Sequence, residues 1–336
     1  MKQRNYALDL LKFYLALIIA VGHTPFPASF PVVESGYVVA MFFLISGYFL
    51  VASFDSGKYS GPWQYTLNRV KKLYPYYMTA FVVMFVYMHR AEGLRSLVLE
   101  FFRCLPEMLM LQSIGIFPGG LNYPLWQLST LVVVSFLLFA LLQWDRKTAV
   151  NLICPALVLL CYNYYIGIGN GNVTGAFLPT TLVRATGSLC LGMFLYDPIR
   201  MLLGTLEGSS WKGMPVAVSA VSLFLLPVLW TNRMSYALLI PFVGIVAGML
   251  YSKGIWARCF ASRRWRWLDR LSLGLYVNHA LIVRIFEDNP ALYERIPLPP
   301  DVVFLAVLIP YCIVMMAAVD GLVKVAGKLW KKAVAA

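Results

Sequence analysis

The sequence predicts an all-α polytopic membrane protein with about ten transmembrane helices. Of its 336 residues, 60% are hydrophobic and only 13% are charged, whereas soluble domains carry about 25% charged residues. Hydrophobic runs long enough to cross a bilayer recur along the chain, with little polar sequence between them. Both observations favour a single integral membrane domain over residues 1–336 rather than two or three soluble domains.

Ten runs have the length and the composition of a transmembrane helix. In chain order they are Tyr6–His23, Val33–Phe54, Leu73–Met88, Leu125–Leu142, Ala149–Ile166, Phe177–Tyr196, Pro215–Trp230, Ser235–Tyr251, Leu271–Phe286 and Val302–Val325. A shorter segment near residues 97–114 is interrupted by charged residues and by proline. We therefore expect that segment to lie at the membrane interface or to re-enter the membrane without crossing it.

The basic residues predict the orientation of these helices. If the N-terminus is cytoplasmic, the cytoplasmic loops collect most of the Lys and Arg residues, including those of the loop Lys253–Arg270. This distribution follows the positive-inside rule and places both termini in the cytoplasm. The loop is expected either to lie on the cytoplasmic leaflet or to hold an anionic cosubstrate through its arginines. Topology and lipid headgroups account for the net charge of +13, so no nucleic-acid partner is predicted.

The first run carries ionisable residues at helical spacing. On a helix, Asp9, Lys12 and His23 lie within about 60° of one another, and Lys12 and His23 are about 16 Å apart along the axis. Ionisable groups are costly inside a bilayer and tend to mark a pathway or a reaction site. This face of the first helix is therefore the predicted location of the chemistry.

Several catalytic motifs of other enzyme classes do not occur in the sequence. It has no Gly-rich phosphate loop, no HExxH pair and no GxSxG nucleophile elbow. Their absence argues against ATP-driven transport, metal-dependent hydrolysis and serine-hydrolase chemistry. The six cysteines are scattered without the spacing of metal ligands, so no metal is expected.

Five segments together resemble the membrane acyltransferase-3 family. The segment Asp9–His23 (DLLKFYLALIIAVGH) is similar to the opening of that family, where a basic residue, more often Arg, precedes a histidine by ten intervening positions. The other four are Met41–Phe49 (MFFLISGYF), Arg69–Tyr77 (RVKKLYPYY), Leu125–Ser129 (LWQLS) and Leu271–His279 (LSLGLYVNH). They follow one another in the order found in the family.

The resemblance implies an activity. Members of the family move an acyl group, often acetyl from acetyl-CoA, to hydroxyls of bacterial surface glycans, peptidoglycan, antibiotics or related lipids. We therefore expect an O-acyltransferase of the bacterial inner membrane that modifies a polysaccharide of the cell envelope or a lipid-linked saccharide. The expected partners are acyl-CoA, this acceptor and membrane lipids; the oligomeric state, the acyl group and the acceptor position stay open.

His23 is the predicted catalytic residue. Acyl transfer to a hydroxyl needs a base that takes a proton near neutral pH, and histidine has a suitable pKa. His23 would deprotonate the acceptor or, alternatively, carry the acyl group itself; a purely interfacial histidine is the competing interpretation. Asp9 is expected to act with it by orienting Lys12.

The binding residues follow from the charge of CoA and from the polar residues of the apolar runs. Lys12, Arg69 and Lys72 are expected to hold the phosphates, since Arg69 and Lys72 are spaced to face one ligand. A role of Arg69 and Lys72 in topology alone is equally open. The candidates for substrate binding are Ser46, Trp126, Arg184 and His279. Helix packing, ion pairing or a structural hydrogen bond is the alternative role for each of these four.

Two other classes of protein fit the hydrophobic pattern. A transporter or flippase would line a path with His23, Arg184 and His279, and it would move its substrate without consuming acetyl-CoA. A scaffold for a larger glycan assembly would tolerate mutation of the site. Neither class explains the ordered set of motifs, so acyl transfer is the leading hypothesis.

Overall fold

A computed structural model describes residues 6–29, 34–112, 120–168, 178–230 and 236–335, and every regular element in these ranges is helical. The α-helices are α1 (Ala7–Gly22), α2 (Ser35–Asp55), α3 (Pro62–Met88), α4 (Leu94–Arg103), α5 (Leu105–Met108), α6 (Trp126–Trp144), α7 (Arg146–Thr148), α8 (Cys154–Ile168), α9 (Thr180–Phe194), α10 (Tyr196–Gly208), α11 (Met214–Leu225), α12 (Leu239–Leu250), α13 (Ile255–Cys259), α14 (Trp267–Asp288), α15 (Ala291–Glu294) and α16 (Pro300–Ala335). Short 3-10 helices cover Tyr123–Leu125, Leu226–Trp230, Tyr236–Leu238 and Arg263–Arg266, and a π-helical turn covers Ala149–Ile153.

The protein is a polytopic helical membrane protein. Within the described ranges, each of the ten predicted runs coincides with helical structure. In the part of the chain that the structure describes, five helical stretches are long and apolar enough to cross a membrane: Ser35–Asp55, Tyr123–Trp144, Arg146–Tyr165, Thr180–Gly208 and Pro300–Leu329. Met214–Trp230 and Leu239–Leu250 are shorter apolar stretches. The number of crossings and the cytoplasmic location of both termini stay predictions.

The segment near residues 97–114 forms the short helices α4 and α5, and residues 113–119 lie outside the described ranges. No residue of α4 is buried, and its apolar side chains Leu94, Val98 and Phe102 are exposed. Glu107 in α5, by contrast, is buried. A helix of 10 residues with exposed apolar side chains is too short to cross a bilayer and suits an interfacial position.

Helices α2 and α9 approach each other through glycine. A Cβ atom at Gly47 would overlap the backbone carbonyl of Leu189, and a Cβ atom at Gly192 would overlap that of Leu44. Small residues allow such close contact between helix backbones in membranes. The close packing at this point of α2 is therefore made by Gly47, the neighbour of Ser46.

Three helix ends are joined by one ionic cluster. The Arg146 guanidinium donates to both carboxylate oxygens of Asp55 at 2.7 and 2.9 Å, and to those of Asp197 at 2.9 and 3.0 Å. Asp55 ends α2, Arg146 begins α7 and Asp197 lies in the first turn of α10. The paired fork geometry fixes these ends relative to one another.

Candidate active site

Helix α1 presents Lys12 and His23 on the face that packs against α14. The Lys12 Nζ atom lies 3.0 Å from Oδ1 of Asp269, near the start of α14. The ring of His23, which follows α1, lies 5.2 Å from the ring of His279 in the same helix, measured between centroids. The two ends of this face are about 16 Å apart, and α14 supplies a partner at each end.

A cavity of about 240 Å³ lies at the Lys12 end, and we call it the Lys12 cavity. Its polar wall is formed by Lys12, Ser46, Arg69, Gln127, Asp269 and Ser272, and the rest by Phe42, Leu73, Leu128, Leu131, Leu273 and Tyr276. The structure thus brings together three of the predicted binding residues, Lys12, Ser46 and Arg69. Ser46, predicted to bind substrate, lies on this cavity and not beside the histidines.

Lys12 is paired with two carboxylates. Its Nζ atom is 3.4 Å from Asp9 and 3.0 Å from Asp269, and the Ser272 hydroxyl donates to its backbone carbonyl. Asp9 is buried, whereas nearly half of the Asp269 side chain is exposed. The position of Asp9 suits orientation of Lys12, and it lies nearly a helix length from His23.

Arg69 is the cation of this cavity with neutral partners. Its Nη1 atom donates to the Tyr65 hydroxyl at 2.6 Å and to Ser135 Oγ at 3.4 Å. In the part of the chain that the structure describes, no carboxylate lies within ion-pair distance of it. Lys72 is exposed and does not line the Lys12 cavity. Arg69 and Lys72 therefore do not both face the Lys12 cavity, although their spacing on α3 predicted that they would face one ligand.

His23 and His279 adopt the same tautomer. Nδ1 of His23 lies 2.7 Å from the Ile19 carbonyl oxygen, and Nδ1 of His279 lies 2.9 Å from that of Tyr276. Because a carbonyl oxygen only accepts hydrogen bonds, each Nδ1 carries the proton and each Nε2 keeps its lone pair. His279 is fully buried, and its Nε2 atom has no hydrogen-bond partner among the residues that the structure describes. The pair therefore offers proton-accepting nitrogen atoms to a hydroxyl.

The turn beside the histidines is held by Glu107. Its carboxylate accepts the backbone N–H groups of Leu121 at 2.6 Å and Asn122 at 2.9 Å. The Asn122 side chain in turn donates to the carbonyl of Val277 at 3.1 Å, two residues before His279 in α14. These bonds position Tyr123, whose ring lies 5.2 Å from that of His23. In the sequence, Glu107 is one of the charged residues that interrupt the segment near residues 97–114, and nothing there predicts its contact with this turn.

Asp301 holds the chain that follows His23. Its Oδ2 atom accepts the backbone N–H of Ser29 at 2.9 Å and the Ser29 hydroxyl at 2.7 Å. Asp301 lies in the first turn of α16 and is fully buried. Asp301 was not among the residues predicted to be functional. Only the scarcity of acidic residues, which number 15 in the chain, could have drawn attention to it.

Arg184 and Trp126 form a second polar group with Glu34. The Arg184 guanidinium lies 4.7 Å from the Tyr165 ring centroid and 5.9 Å from that of Trp126, and it donates to the Tyr165 hydroxyl. Within the described ranges, the Nε atom of Arg184 and Oε2 of Glu34 are buried without a hydrogen-bond partner. The side chains of Arg184 and Glu34 both lie close to the position that a Cβ atom at residue 36, a glycine, would occupy. Glu34 is a residue that the sequence analysis did not select.

These observations define a class of protein: a polytopic helical membrane protein with paired histidines at one end of its first helix and, at the other end, a cavity lined by Lys12, Arg69 and Asp269. The family model for an acyltransferase domain matches residues 5–319 of the chain. The chain therefore belongs to the membrane acyltransferase-3 family, as its motifs indicated, and is an acyltransferase. No curated protein and no solved structure matches it.

Proposed function

We propose that the protein is an O-acyltransferase of the bacterial inner membrane. It transfers an acyl group, acetyl in the first instance, from acyl-CoA to a hydroxyl of a surface glycan or lipid-linked saccharide. The observation that carries this proposal is the His23–His279 pair, in which both rings keep Nε2 as a proton acceptor. Membership of an acyltransferase family favours group transfer over transport.

The Lys12 cavity is the proposed donor site. Arg69 supplies a positive charge with neutral partners, and Lys12, which Asp9 and Asp269 hold in place, lines the same cavity. Phosphate groups bind such side chains through charge-assisted hydrogen bonds. A volume of about 240 Å³ is below the usual range of about 300–1,000 Å³ for a drug-sized ligand. The cavity therefore takes one part of CoA, and exposed Lys72 meets the phosphates that remain outside.

In the proposed reaction, Nε2 of His23 accepts the proton of the acceptor hydroxyl while the hydroxyl oxygen attacks the thioester carbonyl. A C–O bond forms, the C–S bond breaks, and CoA leaves as a thiolate. The imidazolium then returns its proton to the thiolate, so the products are an ester and free CoA thiol. Nε2 of His279 accepts a hydrogen bond from a second hydroxyl of the same acceptor molecule and so orients it.

Trp126, Arg184 and Glu34 are the proposed contacts of the acceptor. An aromatic ring supplies an apolar surface for a sugar, while buried polar atoms without partners gain a hydrogen bond when a hydroxyl reaches them. Trp126 begins α6 immediately after the turn that carries Tyr123. The acceptor thus extends from this group to the histidine pair.

The test is transfer of radiolabel from acetyl-CoA into the glycan and lipid fractions of membranes that contain wild-type protein or His23→Ala. Label is expected in one fraction with wild type and not with the variant. His89→Ala is the matched control, because His89 pairs with Glu92 away from the site. Equal labelling by all three proteins would refute the role of His23. No transfer by folded wild type, with acceptor present, would refute acetyl-CoA as donor.

A further inference from the structure

Tyr276 connects the Lys12 cavity with the histidine pair. Its side chain lines the cavity, and its ring centroid lies 6.0 Å from that of His279, one turn further along α14. Only 6% of Tyr276 is exposed. Tyr276 therefore belongs both to the lining of the proposed donor site and to the surroundings of the histidines.

The ring is held by a hydrogen bond from its hydroxyl to the backbone carbonyl of Pro124. Pro124 belongs to the turn Tyr123–Leu125, which follows the two N–H groups bound by Glu107. The partner of Tyr276 is therefore itself fixed. A phenol ring bonded in this way occupies one defined position until the hydrogen bond is broken.

We propose that Tyr276 closes the path from the donor cavity to the histidines and sets the length of the acyl chain that can pass. This inference rests on the proposed function, since it presupposes an acyl-CoA donor on one side and an acceptor hydroxyl on the other. The thioester meets the hydroxyl only when the ring turns away from Pro124. The acyl thioester then occupies about the space that the ring vacates.

This geometry selects short acyl groups. An acetyl group alone is less than half the size of a phenol ring, but together with the sulfur and the adjoining methylenes of CoA it is about as large, so an acetyl thioester fills the vacated space. Each added methylene must be placed in a wall that is already packed, which is unfavourable in protein interiors. A side chain without a ring at position 276 removes this limit.

The test measures release of CoA thiol from acetyl-, butyryl- and hexanoyl-CoA by membranes that contain the acceptor, and it compares wild type with Tyr276→Phe, Tyr276→Leu and Tyr276→Ala. Wild type and Tyr276→Phe are expected to prefer acetyl-CoA, since both keep the ring. Tyr276→Leu and Tyr276→Ala are expected to lower the ratio of acetyl to hexanoyl turnover by at least tenfold. Thermal unfolding in detergent identifies any variant that is not folded. If either Tyr276→Leu or Tyr276→Ala fails to fold, the other variant still tests the inference.

Tyr251→Leu is the matched control, because buried Tyr251 also donates its hydroxyl to a backbone carbonyl, that of Leu206, but does not line the cavity. Its acyl preference is expected to equal that of wild type. An unchanged preference in a folded Tyr276→Leu or Tyr276→Ala variant overturns the inference while leaving acyl transfer in place. Absence of thiol release by wild type with every acyl-CoA overturns the proposed function and this inference with it.

Discussion

The ring centroids of His23 and His279 lie 5.2 Å apart. Nδ1 of His23 is hydrogen-bonded to the carbonyl oxygen of Ile19 in α1, and Nδ1 of His279 to that of Tyr276 in α14. Residues 256 positions apart in the chain thus present equivalent nitrogen atoms to one location. A single histidine at the end of a helix is common enough to be structural. Two with the same tautomer and neighbouring rings form an arrangement suited to proton transfer.

Replacement of either histidine should affect the chemical step more than donor binding. We expect His23→Gln to lower kcat by about 10²–10⁴-fold, the usual contribution of a general base. His279→Gln should lower kcat by less, because its proposed role is to orient the acceptor. Steady-state kinetics with acyl-CoA as the varied substrate would measure both. A rise in KM for acyl-CoA with unchanged kcat would place the histidines in donor binding instead.

Arg69 and Lys72 should differ in their effect on the donor. Arg69→Gln is expected to raise KM for acyl-CoA by about tenfold or more, because a charge-assisted hydrogen bond to phosphate is lost. Lys72→Gln removes the same charge from an exposed position and should change KM by no more than a few-fold. The pair forms its own control, measured at several salt concentrations. A larger effect at Lys72 would contradict the assignment of the Lys12 cavity as the donor site.

Glu107 should stabilise the turn beside the histidines. Glu107→Ala leaves the N–H groups of Leu121 and Asn122 without their acceptor, and each buried unpaired group costs about 1–3 kcal/mol. We expect a lower unfolding temperature in detergent and a lower kcat, with Glu107→Gln less affected because its amide oxygen still accepts one bond. Glu100→Ala, which removes an ion pair with exposed Arg103, serves for comparison. Equal unfolding temperatures for Glu107→Ala and Glu100→Ala would show that the turn does not depend on Glu107.

Alanine at Gly192 should weaken the contact between α2 and α9. Its Cβ atom would overlap the Leu44 carbonyl, so the two helix backbones must separate. Gly204→Ala in α10 is the matched substitution, because no atom lies within 4 Å of the added Cβ, and helix propensity favours alanine there by about 1 kcal/mol. Thermal unfolding should show Gly192→Ala destabilised and Gly204→Ala unchanged or stabilised. The reverse order would contradict the close approach of these helices.

Much of the fold could be predicted from the sequence because hydropathy and helical periodicity are local properties. Helical structure coincides with each predicted run in the described ranges, and the shared face of Lys12 and His23 follows from their spacing alone. The partners of that face could not be predicted. Asp269 lies 257 positions from Lys12, and only the packing of α1 against α14 brings them together.

The division between Arg69 and Lys72 shows the same limit. Their spacing places both on one side of α3, but whether a side chain meets a cavity or solvent depends on the neighbouring helix. Glu107 and Asp301 were missed for a related reason. Each accepts hydrogen bonds from backbone N–H groups of a loop that is remote in sequence. Because every residue except proline has a backbone N–H group, the sequence does not indicate which of them is bound.

The glycine contact between α2 and α9 has a consequence for substrate entry. With backbone against backbone at Gly47 and Gly192, no layer of side chains lies there that could change rotamer and let the helices slide. These two helices should therefore behave as one rigid body during the catalytic cycle. Helix α14 meets α1 through side chains such as those of Asp269, Ser272 and His279, whose rotation can widen the space between the helices. The moving part of the enzyme is thus expected on the α14 side, with the α2–α9 pair as its fixed frame.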